Sequence, residues 1–230
     1  MKKLIVLNHK MSMLYAEVYY YIESLNSIDS ENDIIVCPSS IYLEAFLNNS
    51  DYPICSQDFT SSIDVNNTGK ISTDQLKSLG VEYSLVGHVE TNDNERVVNE
   101  KLLALLDANI FPILFFGENI DEDYREVLPR KLDAYLREVE NIEFIIFVYE
   151  PIYAADTDFL PNVDKIKEVI DFISKYLEDK YHKKPNLLYG GSVDSGNVND
   201  IINIPNVNGV VIGSKSSNIK EVHKIINNIS

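Results

Sequence analysis

Apolar residues come in short, continuous runs along this chain, separated by longer stretches in which they recur every three or four positions. Continuous rather than alternating runs are expected of parallel strands covered on both faces. The pattern predicts eight strands, near Leu4–Asn8, Asp33–Cys37, Pro53–Gln57, Tyr83–Val86, Pro112–Phe116, Phe144–Tyr149, Leu187–Tyr189 and Gly209–Ile212. Helical spacing is clearest over Asn99–Ala108, Leu128–Glu140, Asp164–Tyr181 and Ile219–Asn227, with Asn162, Asp164 and Asn218 available as caps.

Strands alternating with helices imply a parallel sheet, and eight such units in 230 residues point to a closed (β/α)₈ barrel. Periodicity by itself leaves an open doubly wound sheet as the other form. No Pro/Gly/Ser linker or tandem repeat divides the chain, so residues 1–230 are read as one domain. The longest polar interruption is the Asn-rich stretch Ser61–Gly69, and loops of that length inside compact domains are usually functional.

Composition narrows the partners. Thirty-six acidic against 20 basic side chains give a formal charge of −16, which disfavours nucleic acid and anionic membrane surfaces. An anionic substrate must therefore be held by a few placed cations and backbone amides. Cys37 and Cys55 lie in apolar runs without metal-ligand spacing and read as buried thiols. The apolar run after Lys2 and Lys3 is too short for a signal sequence or a membrane span, so a cytoplasmic protein is expected.

In a barrel of this kind the working residues sit at the carboxyl ends of the strands. There the sequence places Asn8, His9 and Lys10, then Gly87, His88 and Glu90, then Glu150 and Pro151, then Tyr189, Gly190, Gly191 and Ser192. A lone histidine at such a position is more often a satisfied hydrogen bonder than a catalyst, and His9, His182 and His223 are read that way. Converging on one face, however, Glu150, His88, Lys10 and Asn8 form a carboxylate, imidazole, ammonium and amide set. That set can move a proton beside a carbonyl. Gly190-Gly191-Ser192 and Gly213-Ser214 offer small residues where backbone N–H groups can approach an anion.

Through Asn8-His9-Lys10-Met11, Val86-Gly87-His88-Val89-Glu90, Phe116-Gly117-Glu118, Val148-Tyr149-Glu150-Pro151-Ile152-Tyr153-Ala154 and Tyr189-Gly190-Gly191-Ser192-Val193, the chain resembles the triosephosphate isomerase family. The motifs follow the family's order along the whole chain. The resemblance implies that Glu150 removes a carbon-bound proton, neutral His88 polarises the carbonyl and Lys10 stabilises the enediolate, with Asn8 and Glu90 orienting them. It implies phosphate binding by the amides of Ser192, Gly213 and Ser214, helped by Lys10 and Thr157, and association of Tyr189 and Ser192 with a lid. It also implies no metal or cofactor, a place in glycolysis and gluconeogenesis, and a homodimer made through the loop around Thr68-Gly69.

Several positions depart from the family pattern. The lid reads Ala155-Asp156-Thr157-Asp158-Phe159-Leu160-Pro161, putting aspartates where glycines are usual. His9 replaces a tryptophan, Val89 a serine, Phe115 a cysteine and Ser214 a glycine, and the stretch Thr91 to Arg96 is shortened. Lys70 and Thr91 stand where the family commonly pairs a glutamate and an arginine between subunits. The main expectation is interconversion of dihydroxyacetone phosphate and glyceraldehyde 3-phosphate. The altered lid and Ser214 leave two alternatives: isomerisation of another short ketose such as a tetrulose phosphate, or a sugar-phosphate-binding barrel with little catalysis.

Overall fold

A computed structural model of the chain describes residues 2–62, 64–155, 157 and 159–229. The strands are β1 (Leu4–Asn8), β2 (Asp33–Cys37), β3 (Cys55–Ser56), β4 (Tyr83–Val86), β5 (Phe111–Phe116), β6 (Ile146–Tyr149), β7 (Asn186–Tyr189) and β8 (Gly209–Ile212). They pair in parallel in the order β2-β1-β8-β7-β6-β5-β4-β3, and a lone bridge between Val36 and Ile54 links the two ends of that series into a nearly closed barrel. The closed form, not the open sheet, is therefore the one adopted.

Both faces of the strands are buried, which is why the runs are continuous. Val6, Ile35, Leu85, Phe115, Val148 and Val211 fill the barrel interior together with Cys37 and Cys55, whose thiols are buried and unpaired. Their neighbours Ile5, Val36, Leu114, Phe147 and Val210 point outward into the layer beneath the helices. Those helices are α1 (Tyr15–Asn26), α2 (Leu43–Asn49), α3 (Thr73–Leu79), α4 (Glu95–Ala108), α5 (Tyr124–Tyr135), α6 (Val163–Tyr181), α7 (Val198–Ile202) and α8 (Ile219–Asn228). No described helix is long and apolar enough to cross a membrane.

The boundaries correct several expectations. β3 is reduced from the expected Pro53–Gln57 to Cys55–Ser56: Pro53 has no N–H to give a ladder, and the Gln57 side chain is spent on neighbouring carbonyls. β6 starts at Ile146 rather than Phe144, because Ile145 N closes a turn on Ile142 O at 3.1 Å. α4 starts four residues before Asn99, where the Asn94 side chain accepts from Val97 N at 3.1 Å. Asn162 and Asn218 cap α6 and α8 as expected, but Asp164 does not cap; it lies in the first turn of α6 as an acidic residue facing the helix dipole.

The largest shift is in α5, expected over Leu128–Glu140 and found over Tyr124–Tyr135 with Pro129 inside it. Its start is fixed by Asp123, which accepts from Arg125 N at 2.9 Å. Its end is fixed from outside: the buried Asn99 of α4 donates from one amide nitrogen to Tyr135 O and Arg137 O, both at 2.8 Å. Terminal carbonyls of a helix lack partners of their own, and this side chain supplies them. Asn99→Ala should lower unfolding free energy by about 1–3 kcal/mol, read as a reduced urea midpoint with an unchanged m-value.

Candidate active site

The turn that follows β1 brings the first site residues into place. Asn8 is buried, and its Oδ1 accepts from Lys10 N at 3.2 Å. Lys10 takes a left-handed φ of 51°, which few side-chain-bearing residues adopt. Its carbonyl is held there by two donors at the ends of the next two strands, Ser39 Oγ at 2.7 Å and Gln57 Nε2 at 2.8 Å. The same Gln57 nitrogen donates to Cys37 O at 2.8 Å. Gln57 ends an apolar run and was findable by the strand-end rule; Ser39, two residues beyond its strand, was not.

His88 and Glu90 stand at the end of β4. Gly87 before them has a φ of 76°, and a Cβ on it would sit 2.7 Å from the Phe115 carbonyl. The His88 ring, nearly buried and packed edge-on against Phe115, accepts at Nδ1 from Glu90 N at 3.3 Å. Glu90 Oε2 is farther from the same nitrogen, at 3.6 Å, so the amide donor decides its state: Nδ1 is the acceptor and Nε2 carries the proton. Glu90 reaches across to Lys10, whose Nζ lies 3.0 Å from Oε1.

Glu150 follows β6, and its Oε2 lies 3.5 Å from His88 Nε2. Its backbone N donates to Phe116 O at 3.0 Å, and a Cβ on Gly117 would collide with its carbonyl, so the glycine of Phe116-Gly117-Glu118 is a packing requirement. The carboxylate itself rests against Gly190: a Cβ there would lie 3.0 Å from Oε1. Buried Glu118 accepts from Tyr149 OH at 2.9 Å, while its carbonyl accepts from Ile152 N at 3.0 Å. Burial raises the Glu118 pKa, against the opposing hydrogen bond from Tyr149.

Beyond Glu150 and Lys10 opens a cavity of about 260 Å³, lined by Thr157, Leu160, Gly191, Ser192, Asp194, Gly213, Ser214 and Lys215. Ser192 and Gly191 both have positive φ. The single Ser192 hydroxyl proton is shared between Ala154 O, at 3.1 Å, and Thr157 O, tying the loop after β7 to the segment after β6. Tyr189 is buried beside this tie, and its hydroxyl has no hydrogen-bond partner among the described residues. Thr157 is exposed, with Oγ1 accepting from Phe159 N at 3.1 Å. Asp156 and Asp158 lie outside the described residues. Of the residues expected at the site, Lys10, Glu150, Thr157, Ser192, Gly213 and Ser214 line this cavity, His88 and Glu90 reach Glu150 and Lys10 from beside it, and Asp194 and Lys215 line it without having been foreseen.

Two expectations concern residues at the margin. Thr68 and Gly69 are exposed on a loop whose base is closed by Thr60 N donating to Ile71 O at 2.8 Å. His9, expected to be a satisfied hydrogen bonder, is fully buried, and neither ring nitrogen has a hydrogen-bond partner among the described residues. It packs edge-on against Tyr21 and Phe46, with ring centroids 4.7 and 5.5 Å away, and so behaves as a small aromatic core residue. His182 closes α6 with a φ of 54°, and His223 lies in α8.

The family model for triosephosphate isomerase matches residues 3–229. Proteins named triosephosphate isomerase from Wolbachia pipientis wMel and Francisella tularensis subsp. novicida (strain U112) are 33% and 31% identical. The alignments cover 100% and 99% of this chain, and 95% and 97% of the relatives. A third, from Francisella tularensis subsp. mediasiatica (strain FSC147), is 30% identical over 99% of this chain and 97% of its own length.

Burial depresses the His9 pKa to about 3. In the unfolded chain the ring regains an ordinary value near 6.5. The unfolded state therefore binds an extra proton between these values, and stability should fall as pH drops below about 6.5, by about 1.4 kcal/mol per pH unit. In urea titrations from pH 7.5 to 5, His9→Phe should lose that share of the slope. Parallel curves for the two proteins would mean that folded His9 takes up a proton freely.

Proposed function

The chain belongs to the triosephosphate isomerase family, and from that premise we propose that it interconverts dihydroxyacetone phosphate and glyceraldehyde 3-phosphate with Glu150 as the base. It is an intramolecular aldose–ketose isomerase. The observation that carries the assignment of roles is the Glu150 carboxylate 3.5 Å from His88 Nε2, the ring nitrogen left holding the proton.

In this reading the substrate's carbonyl and neighbouring hydroxyl lie between the two side chains. Glu150 takes the carbon-bound proton, while His88 Nε2–H donates to the carbonyl oxygen as negative charge develops on it. Lys10 places its ammonium by the enediolate, oriented by Glu90 and, through the backbone, by Asn8. His88 Nε2 then takes the proton of the neighbouring hydroxyl as that oxygen becomes the new carbonyl, Glu150 returns its proton to the adjacent carbon, and no redox step or metal is required by the balance of atoms.

The phosphate belongs at the other end of the cavity, on backbone amides of Ser192, Gly213 and Ser214, with Thr157 arriving on the lid. Gly213 brings its backbone near the Lys10 stem: a Cβ there would lie 3.6 Å from Lys10 Cε. Tyr189 and Ser192 couple this end to the lid segment, Ser192 through its two carbonyl acceptors. The triose fits the family assignment without a further premise, and no observation at this site favours a longer ketose or a non-catalytic binder.

A homodimer is part of the same proposal. Met11, Ile41 and Val65 are 93%, 81% and 94% exposed, on loops following the first three strands, and Leu14 and Tyr15 extend this apolar surface. Side chains of this kind grouped on one side of a protein mark a surface that is covered in solution. The loop bearing Thr68 lies among them, in keeping with a contact made there. A cytoplasmic setting is consistent with the two unpaired buried thiols.

Glu150→Gln should lower kcat for glyceraldehyde 3-phosphate by roughly 10²–10⁴-fold with an unaltered circular-dichroism spectrum; unchanged kcat would remove Glu150 from the mechanism. Light scattering should give about twice the 26.2 kDa chain mass. Val65→Asp should shift the distribution toward monomer, and a monomeric parent protein would refute the dimer.

A further inference from the structure

The cavity beyond Glu150 must attract a phosphate in a protein whose formal charge is −16. Among the described residues lining it, the cations are Lys10 and Lys215, and the carboxylates are Glu150 and Asp194. Lys10 is drawn toward the reacting end by Glu90, 3.0 Å from its Nζ. Lys215 lines the same cavity from the 3₁₀ turn Ser214–Ser217 that follows β8, one residue past the amide of Ser214.

Lys215 Nζ lies 2.6 Å from Asp194 Oδ2, linking the loop after β8 to the loop after β7. Asp194 is the fixed member of this pair. Its Oδ1 accepts from Gly196 N at 2.8 Å, and its N donates to Asn197 Oδ1 at 3.0 Å. Asn197 in turn donates to Ser192 O at 2.9 Å, so the carboxylate is anchored to the same loop that presents Ser192 to the cavity. Lys215 is the mobile member, at the end of a flexible four-carbon stem. Side-chain exposures of 44% and 29% place the pair where water screens it, and ion pairs of that kind add little to folding. An ammonium has three donors, of which Asp194 engages one, leaving two for the oxygens of a bound anion.

From this arrangement we infer that Lys215 is a second cationic determinant for the phosphate of the substrate, stationed at the cavity by Asp194 and donating to the dianion when it binds. The inference rests on the reading of this cavity as the phosphate end of an isomerase site. Lys10 then serves the enediolate and Lys215 the phosphate, a division of labour between two lysines that line one cavity. Asp194 contributes the position of the ammonium and takes away part of its charge.

The test uses the full-length protein with inorganic phosphate as probe, titrated calorimetrically, alongside steady-state isomerisation of glyceraldehyde 3-phosphate. Lys215→Met should raise the phosphate Kd and the KM together by about three- to tenfold, with kcat changed less than about twofold. Asp194→Asn should leave phosphate binding as tight as in the parent protein or tighten it, because the isosteric amide oxygen still accepts from the ammonium and keeps it in place while the competing charge is lost. Two results would overturn the inference. A phosphate Kd in Lys215→Met within error of the parent value would remove Lys215 from the site. Equal weakening in Lys215→Met and Asp194→Asn would show that the pair only braces two loops. Absence of triose turnover in the parent protein would instead refute the isomerase reading, and the phosphate titrations would still report on Lys215.

Discussion

Glu150 is caught between two residues that have no side chains. On one flank Gly117 lets the end of β5 press against its carbonyl, and on the other Gly190 lets its carboxylate lie directly on the backbone after β7. Backbone hydrogen bonds from Glu150 N to Phe116 O and from Gly190 N to Tyr149 O, at 3.0 and 2.9 Å, lock the three strand ends together. A methyl group at either glycine would have to move the base or the strand that carries it. The rest of the site is arranged around a carboxylate whose location is set by this lack of room, with His88 brought to it from the end of β4 and Lys10 from the end of β1.

Charge is handled locally in the same spirit. The protein as a whole repels anions, yet the site sets an ammonium, a neutral imidazole and bare amides where an anion would lie. Each is held by a nearby partner: Lys10 by Glu90 and by the donors on its carbonyl, His88 by the Glu90 amide, Lys215 by Asp194. Short-range contacts of this kind outweigh a diffuse surface charge that salt screens over about 10 Å. The acidic exterior and the anion-binding interior therefore coexist without conflict.

Much of this was legible in the sequence, for reasons that differ by feature. Strands were visible because both their faces are buried, and Asn8, Lys10, His88, Glu90 and Glu150 because polar residues ending such runs are conspicuous. Asn162 and Asn218 could be assigned as caps because the helices they start are long and strongly amphipathic. Features made by contact between distant segments were not legible. The end of α5 depends on Asn99, 36 residues earlier than the carbonyl of Tyr135 that it satisfies. His9 is read from its residue type as a hydrogen bonder, and only its replacement of a tryptophan hinted at the aromatic packing against Tyr21 and Phe46. Lys215 was hidden by its setting in an ordinary loop, and it gains meaning only once Asp194 is seen 2.6 Å from its ammonium, beside the cavity.

The seam between β2 and β3 is the thinnest part of the barrel, with a single bridge at Val36 and Ile54 where the other neighbours share ladders. Opening free energies differ across a fold and are lowest where the fewest contacts must break. A breathing motion at this seam would carry Gln57 away from both carbonyls it ties together, and would loosen the left-handed turn at Lys10 while the strand before Glu150 stays laddered on both sides. The members of the catalytic set thus have unequal mechanical backing: Glu150 follows a strand laddered on both sides, and the ammonium's turn is tied across the joint.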